Sequence, residues 1–519
     1  MLGSIGHVLR LARAGYILAR EGVFTGVDAA SLPPEMRLGL LAAKLVARRA
    51  GGLNRLAAAI AQLGPSYVKL GQTLATRPDV VGIEVAHELE ALQDRMEPFP
   101  RDVAVRVIEQ AFSRPLGEIF ADLSEPVAAA SVAQVHKGKV VEDGVEKPVA
   151  VKVLRPGIER RFRRDLGDMF FAARMAQKFS VEAQRLNPVG VVDTLARSVK
   201  MEMDFRLEAA AASEFAENTH GDDDFLVPCV DWNRSAREVL TLEWIDGIPL
   251  SDVEALKRSG ADLPRLGRTL IQSFLRHAVR DGFFHADMHP GNLFLTPQGR
   301  LAAVDFGIMG RLGIKERRFL AEILYGFITR DYQRVAEVHF EAGYVPAHYR
   351  VADFAQAIRA VGEPIHSRRA DEISMAKLLT LLFEITALFD MQTRIELVML
   401  QKTMVVVEGV ARSLDPRLDM WSTAEPVVRA WMEDNLGPRG KIADAGHVVM
   451  SLGHIAAQAP EMLARTGRIV EKLEAMTEEG LDLAPRTVAA LAKAHAASQR
   501  VWRIGGVFVL AIILFTLWR

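Results

Sequence analysis

Apolar positions recur at helical spacing through residues 36–115, with interruptions at Gly64-Pro65, Pro78 and Pro100. The period then changes. Val127–Val141 and Val149–Leu154 are rich in β-branched residues and are joined across Asp143-Gly144, a dipeptide that favours a type I′ turn, so both are expected to be strands of a hairpin. Helical spacing returns over 157–216, broken near Asn187-Pro188, and REVLTLEWIDG at 237–247 reads as a short strand ending at Asp-Gly. From there to Asp281 the period is helical again; LAAVDFG at 301–307 is a further strand, reached through a turn at Pro297-Gln298-Gly299. From Lys315 the pattern stays helical almost to the end, with a linker at 436–440. No repeat of roughly 20–50 residues is visible, so a solenoid is not expected. The pattern predicts an α+β chain: a helical extension (1–115), a strand-rich unit (116–247), a large helical unit holding one short hairpin (248–436), a helical region (437–500) and a terminal apolar segment (501–519).

Composition changes this picture only at the margins. A chain of 519 residues exceeds what one hydrophobic core supports, so two or three domains are expected. Its net charge of -1 gives no field that would draw it to nucleic acid. The single cysteine, Cys229, excludes a disulfide framework and a multi-cysteine metal site, and reads as an inert core thiol. The ends are less ordinary. IGGVFVLAIILFTLW at 504–518 carries no charge; extended back to Val501 it spans about 22–27 Å as a helix, enough for a C-terminal membrane helix if Arg503 and Arg519 snorkel. Lys493, Arg500 and Arg503 precede it, which leaves the main body on the cytoplasmic side. At the other end, MLGSIGHVLRLARAGYILAR has Arg10, Arg13 and Arg20 and no acid before Glu21, the composition of a basic amphipathic helix lying on anionic lipid; a mitochondrial transit peptide is the alternative.

Candidate chemistry follows one order along the chain. PVAAASVAQVHKG at 126–138 puts Ala128, Ala130 and Ala133 where a nucleotide loop G-x-G-x-x-G-x-V would have glycines, with Val135 as its valine and Ala129, Ser131 and Val132 between. Alanine's Cβ penalises φ > 0 and holds the backbone off a ligand, so such a loop is expected to be a stiffer and more remote cover on the phosphates. VAVK ends at Lys152, on a strand from which an ammonium can reach α- and β-phosphates. HADMHPGN at 285–292 reproduces H-x-D-x-x-x-x-N, placing Asp287 to face an acceptor and Asn292 to bind a metal ion. Asp305-Phe306-Gly307 follows thirteen residues later and presents a carboxylate to Mg²⁺. The same residues admit a second reading, a binuclear hydrolase site of His285, Asp287, His289 and Asp305, but that reading leaves Lys152 and Asn292 without a role. Phosphoryl-transfer parts in kinase order, on this layout, predict a two-lobed protein-kinase-like fold with additions at both ends.

With these motifs in place, the chain resembles the UbiB (aarF-domain, ADCK) family of atypical protein-kinase-like proteins of ubiquinone biosynthesis. Lys69-Leu70-Gly71-Gln72 in SYVKLGQTLATRPD resembles the family's KxGQ motif, and Glu202 and Asp204 in MEMDFRLEAA resemble its ExD motif. The resemblance runs from about residue 55 to Asp415. It implies that Glu208 pairs with Lys152, and that Lys69 and Gln72 belong to a segment folded over the site, Lys69 meeting Glu202, where a peptide substrate would otherwise dock. From its surroundings alone, Lys69 on an amphipathic helix would be read as a surface residue. Lys152 and Glu208 are 56 residues apart, which requires an insertion between strand and helix.

Two absences point away from a protein acceptor. Ala286 stands where HRD has arginine, and between Gly307 and the helix near Lys315 only a tight turn fits, without an A-P-E. The expected function is a membrane-associated atypical kinase or ATPase that uses ATP and Mg²⁺ and supports ubiquinone biosynthesis, acting on or extracting an isoprenoid or quinone-precursor lipid at the cytoplasmic face of an inner membrane. Adenine is expected at the backbone of Glu243 to Ile245, where the lobes join. The alternative is a nucleotide-gated, lipid-binding scaffold for quinone-biosynthesis enzymes.

Overall fold

The structure is a computed structural model that describes residues 2–26, 34–47, 55–75, 81, 85, 88–89, 92, 96–179, 187–366, 384–385, 388–391 and 395–436. The chain divides into two units, Met1–Met432 and Glu433–Arg519, and of the second only the last turn of a helix is described. The expected helical region 437–500 and membrane helix 501–519 lie outside the described residues, among which no helix is long and apolar enough to cross a membrane.

The N-terminal extension comprises α1 (Leu2–Arg20), α2 (Pro34–Val46), α3 (Arg55–Leu63) and α4 (Pro65–Ala75). After α5 (Arg101–Phe112) and the single turn α6 (Leu116–Ile119) come β1 (Asp122–Ala129), β2 (Ala133–Glu142) and β3 (Val145–Leu154). With β5 (Val239–Glu243) they form an antiparallel sheet in the order β1-β2-β3-β5. Asp143 and Gly144 both adopt left-handed φ, 51° and 77°, as the type I′ turn between β2 and β3 demands. The run Val127–Val141 is not one strand, however. It breaks at Ala130–Val132, where the Ala130 N–H donates to the Ala133 carbonyl at 2.8 Å and closes a turn. No residue of that turn has positive φ, so it needs no glycine, and the sequence carried no Gly, Pro or Asn to mark it. Pro126, which has no N–H to give to a ladder, sits in the edge strand β1 between two shifts of register.

The expected insertion after β3 consists of two helices, α7 (Ile158–Phe179) and α8 (Pro188–Glu202), followed by α9 (Phe205–Asn218). Ile158, Phe162, Leu195, Val199, Phe205, Ala209 and Leu240 share one buried cluster on this side of the sheet, against which Tyr67 and Leu70 of α4 pack. The other side is closed by α5, where Ile108 and Phe120 meet Val149, Val151 and Val153. Alternation along β3 therefore buries its odd-numbered valines under α5 and leaves Lys152 on the opposite face.

The second lobe contains more strand than the hydropathy pattern predicted. Beyond α10 (Val253–Arg258) and α11 (Leu263–Arg276) lie β7 (Phe283–His285), β8 (Leu293–Leu295), β9 (Leu301–Ala303) and β10 (Met309–Arg311). β10 pairs with β7, while β4 (Phe225–Leu226), β9, β8 and β6 (Ile248–Pro249) form a second small sheet. Strands of two or three residues are too short to express a period of two. α11 presents Leu266, Leu270 and Phe274 to the core at helical spacing and passes into a π-helical turn at His277–Asp281. α12 (Ile314–Thr329), α13 (Tyr332–Glu341), α14 (Val351–His366), α15 (Ile395–Leu414) and α16 (Met420–Leu436) complete the described chain. Cys229, expected in a core, is exposed.

His136, His277 and His285 are buried, and burial holds each below the ordinary imidazole value of 6.5. A depressed folded pKa stabilises the fold fully above the unfolded value, and the contribution is lost as the pH falls through the folded values. These three histidines should therefore pull the thermal midpoint of the full chain down between about pH 6.5 and 5, while buried Glu208, whose carboxyl is pushed up to about 7, works in the opposite sense and makes the fall shallower. A midpoint unchanged across that acidic window would refute this account.

Candidate functional site

Lys152 lies opposite Val135 in β2 and Leu240 in β5, on the face of the sheet that looks toward α9. Its Nζ is 2.7 Å from Glu208 Oε1 and 3.4 Å from Asp305 Oδ2. Asp204 caps the N-terminus of α9 by accepting from the Arg206 N–H and pairs with the Arg206 guanidinium, so this member of the ExD motif fixes the start of the helix that carries Glu208. Burial disfavours the Lys152 ammonium, but Asp305 and Glu208 outweigh it and hold the pKa above its ordinary value. Burial also pushes the Glu208 carboxyl up, to about 7, with Lys152 opposing and Asp305 adding to the rise. Asp305 moves the other way, to about 2: Lys152, the Gly307 N–H and His285 overcome its desolvation, which is partial because the side chain is 45% exposed. The proton stays on lysine and Asp305 stays ionised, poised to bind a cation.

The loop between β7 and β8 carries the next group. His285 Nδ1 accepts from the Asp287 N–H at 3.1 Å, and the buried ring lies against Phe306. Asn292 donates through Nδ2 to the Asp287 carbonyl and carboxylate, at 3.1 and 3.2 Å. The Asn292 carbonyl accepts from the Val304 N–H, one residue before Asp305, while Asp305 Oδ1 accepts from the Gly307 N–H at 3.0 Å. Asp287, Asn292 and Asp305 are thus drawn to one end of the cleft. Asn292 and Asp305 offer an amide and a carboxylate oxygen, a hard and incomplete donor set that suits Mg²⁺ completed by phosphate and water. The binuclear reading finds no support: one nitrogen of His285 and one of His289 are engaged by backbone N–H groups, and no three His, Cys, Asp or Glu among the described residues converge on a metal position.

Ala128 and Ala129 belong to β1, Ala133 and Val135 to β2, and only Ala130, Ser131 and Val132 form the turn. Ser131 and Val132 are buried, the latter in the cluster shared with α7 and α8. At the join between the lobes the Glu243 N–H is already given to the Cys229 carbonyl and the Trp244 N–H to that of Pro148. Of the backbone of Glu243 to Ile245, where adenine is expected, the first two N–H groups are thus engaged within the protein, which points to the carbonyls and the Ile245 N–H as the groups to meet a base.

Lys69 is not a surface residue. Its Nζ is 2.7 Å from Glu202 Oε2, and the two side chains are only 11% and 13% exposed. Ser66, one turn earlier on α4, donates to Asp165 of α7 at 2.8 Å. Gly71 has the tightest position on this helix: a Cβ there would come within 2.3 Å of Leu92. Gln72 follows directly and is half-buried. Sequence reasoning missed Thr403, a buried α15 residue whose hydroxyl donates to the Ala286 carbonyl at 2.9 Å and steadies the Asp287 loop from outside the kinase-like motifs. Nothing in the sequence around it, Gln401-Lys402 before and Met404-Val405 after, marks it.

Comparison with known proteins gives the same picture. Residues 91–339 match the ABC1 atypical kinase-like domain and residues 358–419 the UbiB helical domain. A protein of Marinobacter nauticus named "Probable protein kinase UbiB" is 39% identical over 461 residues, covering 87% of this chain and 83% of its own. A namesake from Pseudomonas aeruginosa is 39% identical over 416 residues, 79% of this chain and 78% of its own. The solved complex of Rv3197 with erythromycin from Mycobacterium tuberculosis aligns with a TM-score of 0.51 and 25% identity, over 79% of this chain and all of that one.

Removing Lys69 strands Glu202 in a poorly solvated place. Lys69→Met should lower unfolding stability by about 3–5 kcal/mol, and Lys69→Met/Glu202→Leu should recover most of the loss, because an ion pair costs more to break than to replace. Urea denaturation of the four species measures the coupling, and strictly additive effects would show that the pair does not interact.

Proposed function

Because the chain belongs to the UbiB family, with an ABC1 atypical kinase-like domain and a UbiB helical domain, we propose that it is an ATP-dependent phosphotransferase or ATPase supporting ubiquinone biosynthesis. The single observation that carries this reading is the triad Lys152, Glu208 and Asp305, assembled from three elements at the mouth of one cleft. In it, Lys152, aimed by Glu208, grips the phosphates; the Ile245 N–H meets adenine; and the turn at Ala130–Val132 covers the phosphates from above. Asn292 and Asp305 would hold Mg²⁺, which when bound neutralises phosphate charge. Asp287, held by Asn292 and by the His285 ring, orients the acceptor hydroxyl or water.

The acceptor in this proposal is water or a small or lipid molecule. After Gly307 the chain enters β10 at Met309 and α12 at Ile314, which leaves no segment to bind a peptide. The Lys69–Glu202 brace occupies α4 and the insertion on the same lobe. An isoprenoid or quinone-precursor lipid drawn from the cytoplasmic face of an inner membrane fits, and the outer face of α1 supports a membrane contact, since Val8, Leu9 and Tyr16 are exposed beside Arg13.

Steady-state ATP hydrolysis by the full chain with membranes tests the proposal. Asp305→Asn should lower kcat at least about 100-fold while leaving the protein folded. Equal, slow turnover by wild type and variant, both still binding nucleotide, would instead establish the nucleotide-gated scaffold.

A further inference from the structure

The turn Ala130–Val132 is held from behind at three carbonyls. Ala129 accepts from the Met96 N–H at 3.3 Å, Ala130 from Arg155 Nη2 at 3.3 Å, and Val132 from the Arg155 N–H at 2.8 Å. The same Arg155 Nη2 donates to the Glu97 carbonyl at 2.9 Å, and its guanidinium lies 5.2 Å from the centre of the Phe99 ring. The segment that Arg155 reaches is itself fastened. Phe99 donates its N–H to Gln134 Oε1 at 2.8 Å and accepts from Gln134 Nε2 at 3.1 Å. Gln134 is buried in β2 beside His136, which links on to the Ser124 carbonyl of β1.

Residues 96–100 therefore run as a strap along the back of the nucleotide turn, with Arg155 as the rivet between them. We propose that Arg155 is a positioning residue that fixes the height of the alanine turn over the phosphates and thereby sets affinity for the nucleotide. The inference rests on the reading of the cleft as an ATP site. Two physical effects act together. The rivet removes freedom that a short turn would otherwise lose only on binding, which raises affinity through pre-organisation. It also places a guanidinium, an always-charged group, directly behind the backbone that faces three phosphates.

Arg155→Met removes the charge and the side-chain hydrogen bonds to the Ala130 and Glu97 carbonyls, leaves the main-chain bond to Val132 in place and keeps bulk; Arg155→Lys keeps the charge and one donor group. In the full chain, ATP affinity measured by titration should fall roughly 5–20-fold in Arg155→Met and less in Arg155→Lys, with kcat at saturation within about twofold of wild type. Amide hydrogen exchange, read without nucleotide, should rise at residues 129–133 and stay unchanged along α11. Unaltered exchange in the turn, or exchange raised equally through both lobes, would overturn the positioning role. So would unchanged ATP affinity in Arg155→Met. A wild type that binds no ATP would refute the ATP reading instead, and the exchange pattern would still decide whether Arg155 rivets the turn.

Discussion

The contact on which the rest of this structure depends is the one between Lys152 and Glu208. It joins β3 to α9 across a two-helix insertion and leaves the ammonium within reach of Asp305 on the far side of the cleft. Burying that ammonium is unfavourable by itself, and the position is tenable only because two carboxylates face it. The three groups are thus mutually conditional. Glu208 is the closer partner of the ammonium, and its burial works against the carboxylate form that the pairing needs; Asp305, open to the cleft, is held below the ordinary carboxylate value by Lys152 and the Gly307 N–H. That division suits a site in which the glutamate aims the lysine and the aspartate receives a cation.

Around this contact the chain builds a second, unusual brace. In a kinase that acts on proteins, the surface beside the cleft must stay open to a peptide, and the helix carrying the glutamate is free to swing. Here Asp204 caps that helix and α8 ends two residues before it, at Glu202, which is tied to Lys69 of the extension. Ser66 and Asp165 fasten α4 to α7 as well. The extension is therefore wired to the start of α9, and the short Gly307–Ile314 connection removes the other element that would present a peptide. The Lys69–Glu202 tie and the shortened connection act in the same direction: both agree with the small acceptor proposed above.

Most of the site was legible before any coordinates because it is written in side-chain chemistry at fixed spacing. Lys152, Asp287, Asn292 and Asp305 are polar residues at strand ends or in the loop beside them, and their order alone implied a common cleft. Their contacts are now explicit. The two-helix insertion followed from arithmetic, since two side chains that touch stand 56 residues apart. What escaped has physical reasons too. Five of the second lobe's strands span two or three residues, below the length at which alternation exists. Thr403 acts through a hydroxyl on a helix outside the kinase-like motifs, and Cys229 is exposed between a buried Val227 and a Val230 that packs on the core, a single-residue difference that local composition does not encode. The availability of the Glu243 N–H turned on a partner, Cys229, fourteen residues away, which no local pattern encodes.

The alanines of the nucleotide turn deserve a different explanation from the one their chemistry first suggests. If the turn needed left-handed backbone, each Cβ would cost about 1–2 kcal/mol and the loop would be strained. It does not: the turn closes with negative φ throughout, and the bond from Ala130 to Ala133 is short. Alanine is accordingly tolerated and contributes no strain. Stiffness has to come from elsewhere, and the ties at Ala129, Ala130 and Val132 supply it from the outer side, where a glycine loop in the same place would be held at the same points. The methyl groups then matter for what they exclude. In the proposed nucleotide site they would set a minimum distance between backbone and phosphate, while the strap would set the height from which that distance is measured, and a cover fixed in both respects suits holding a nucleotide more than following it through transfer to a large acceptor.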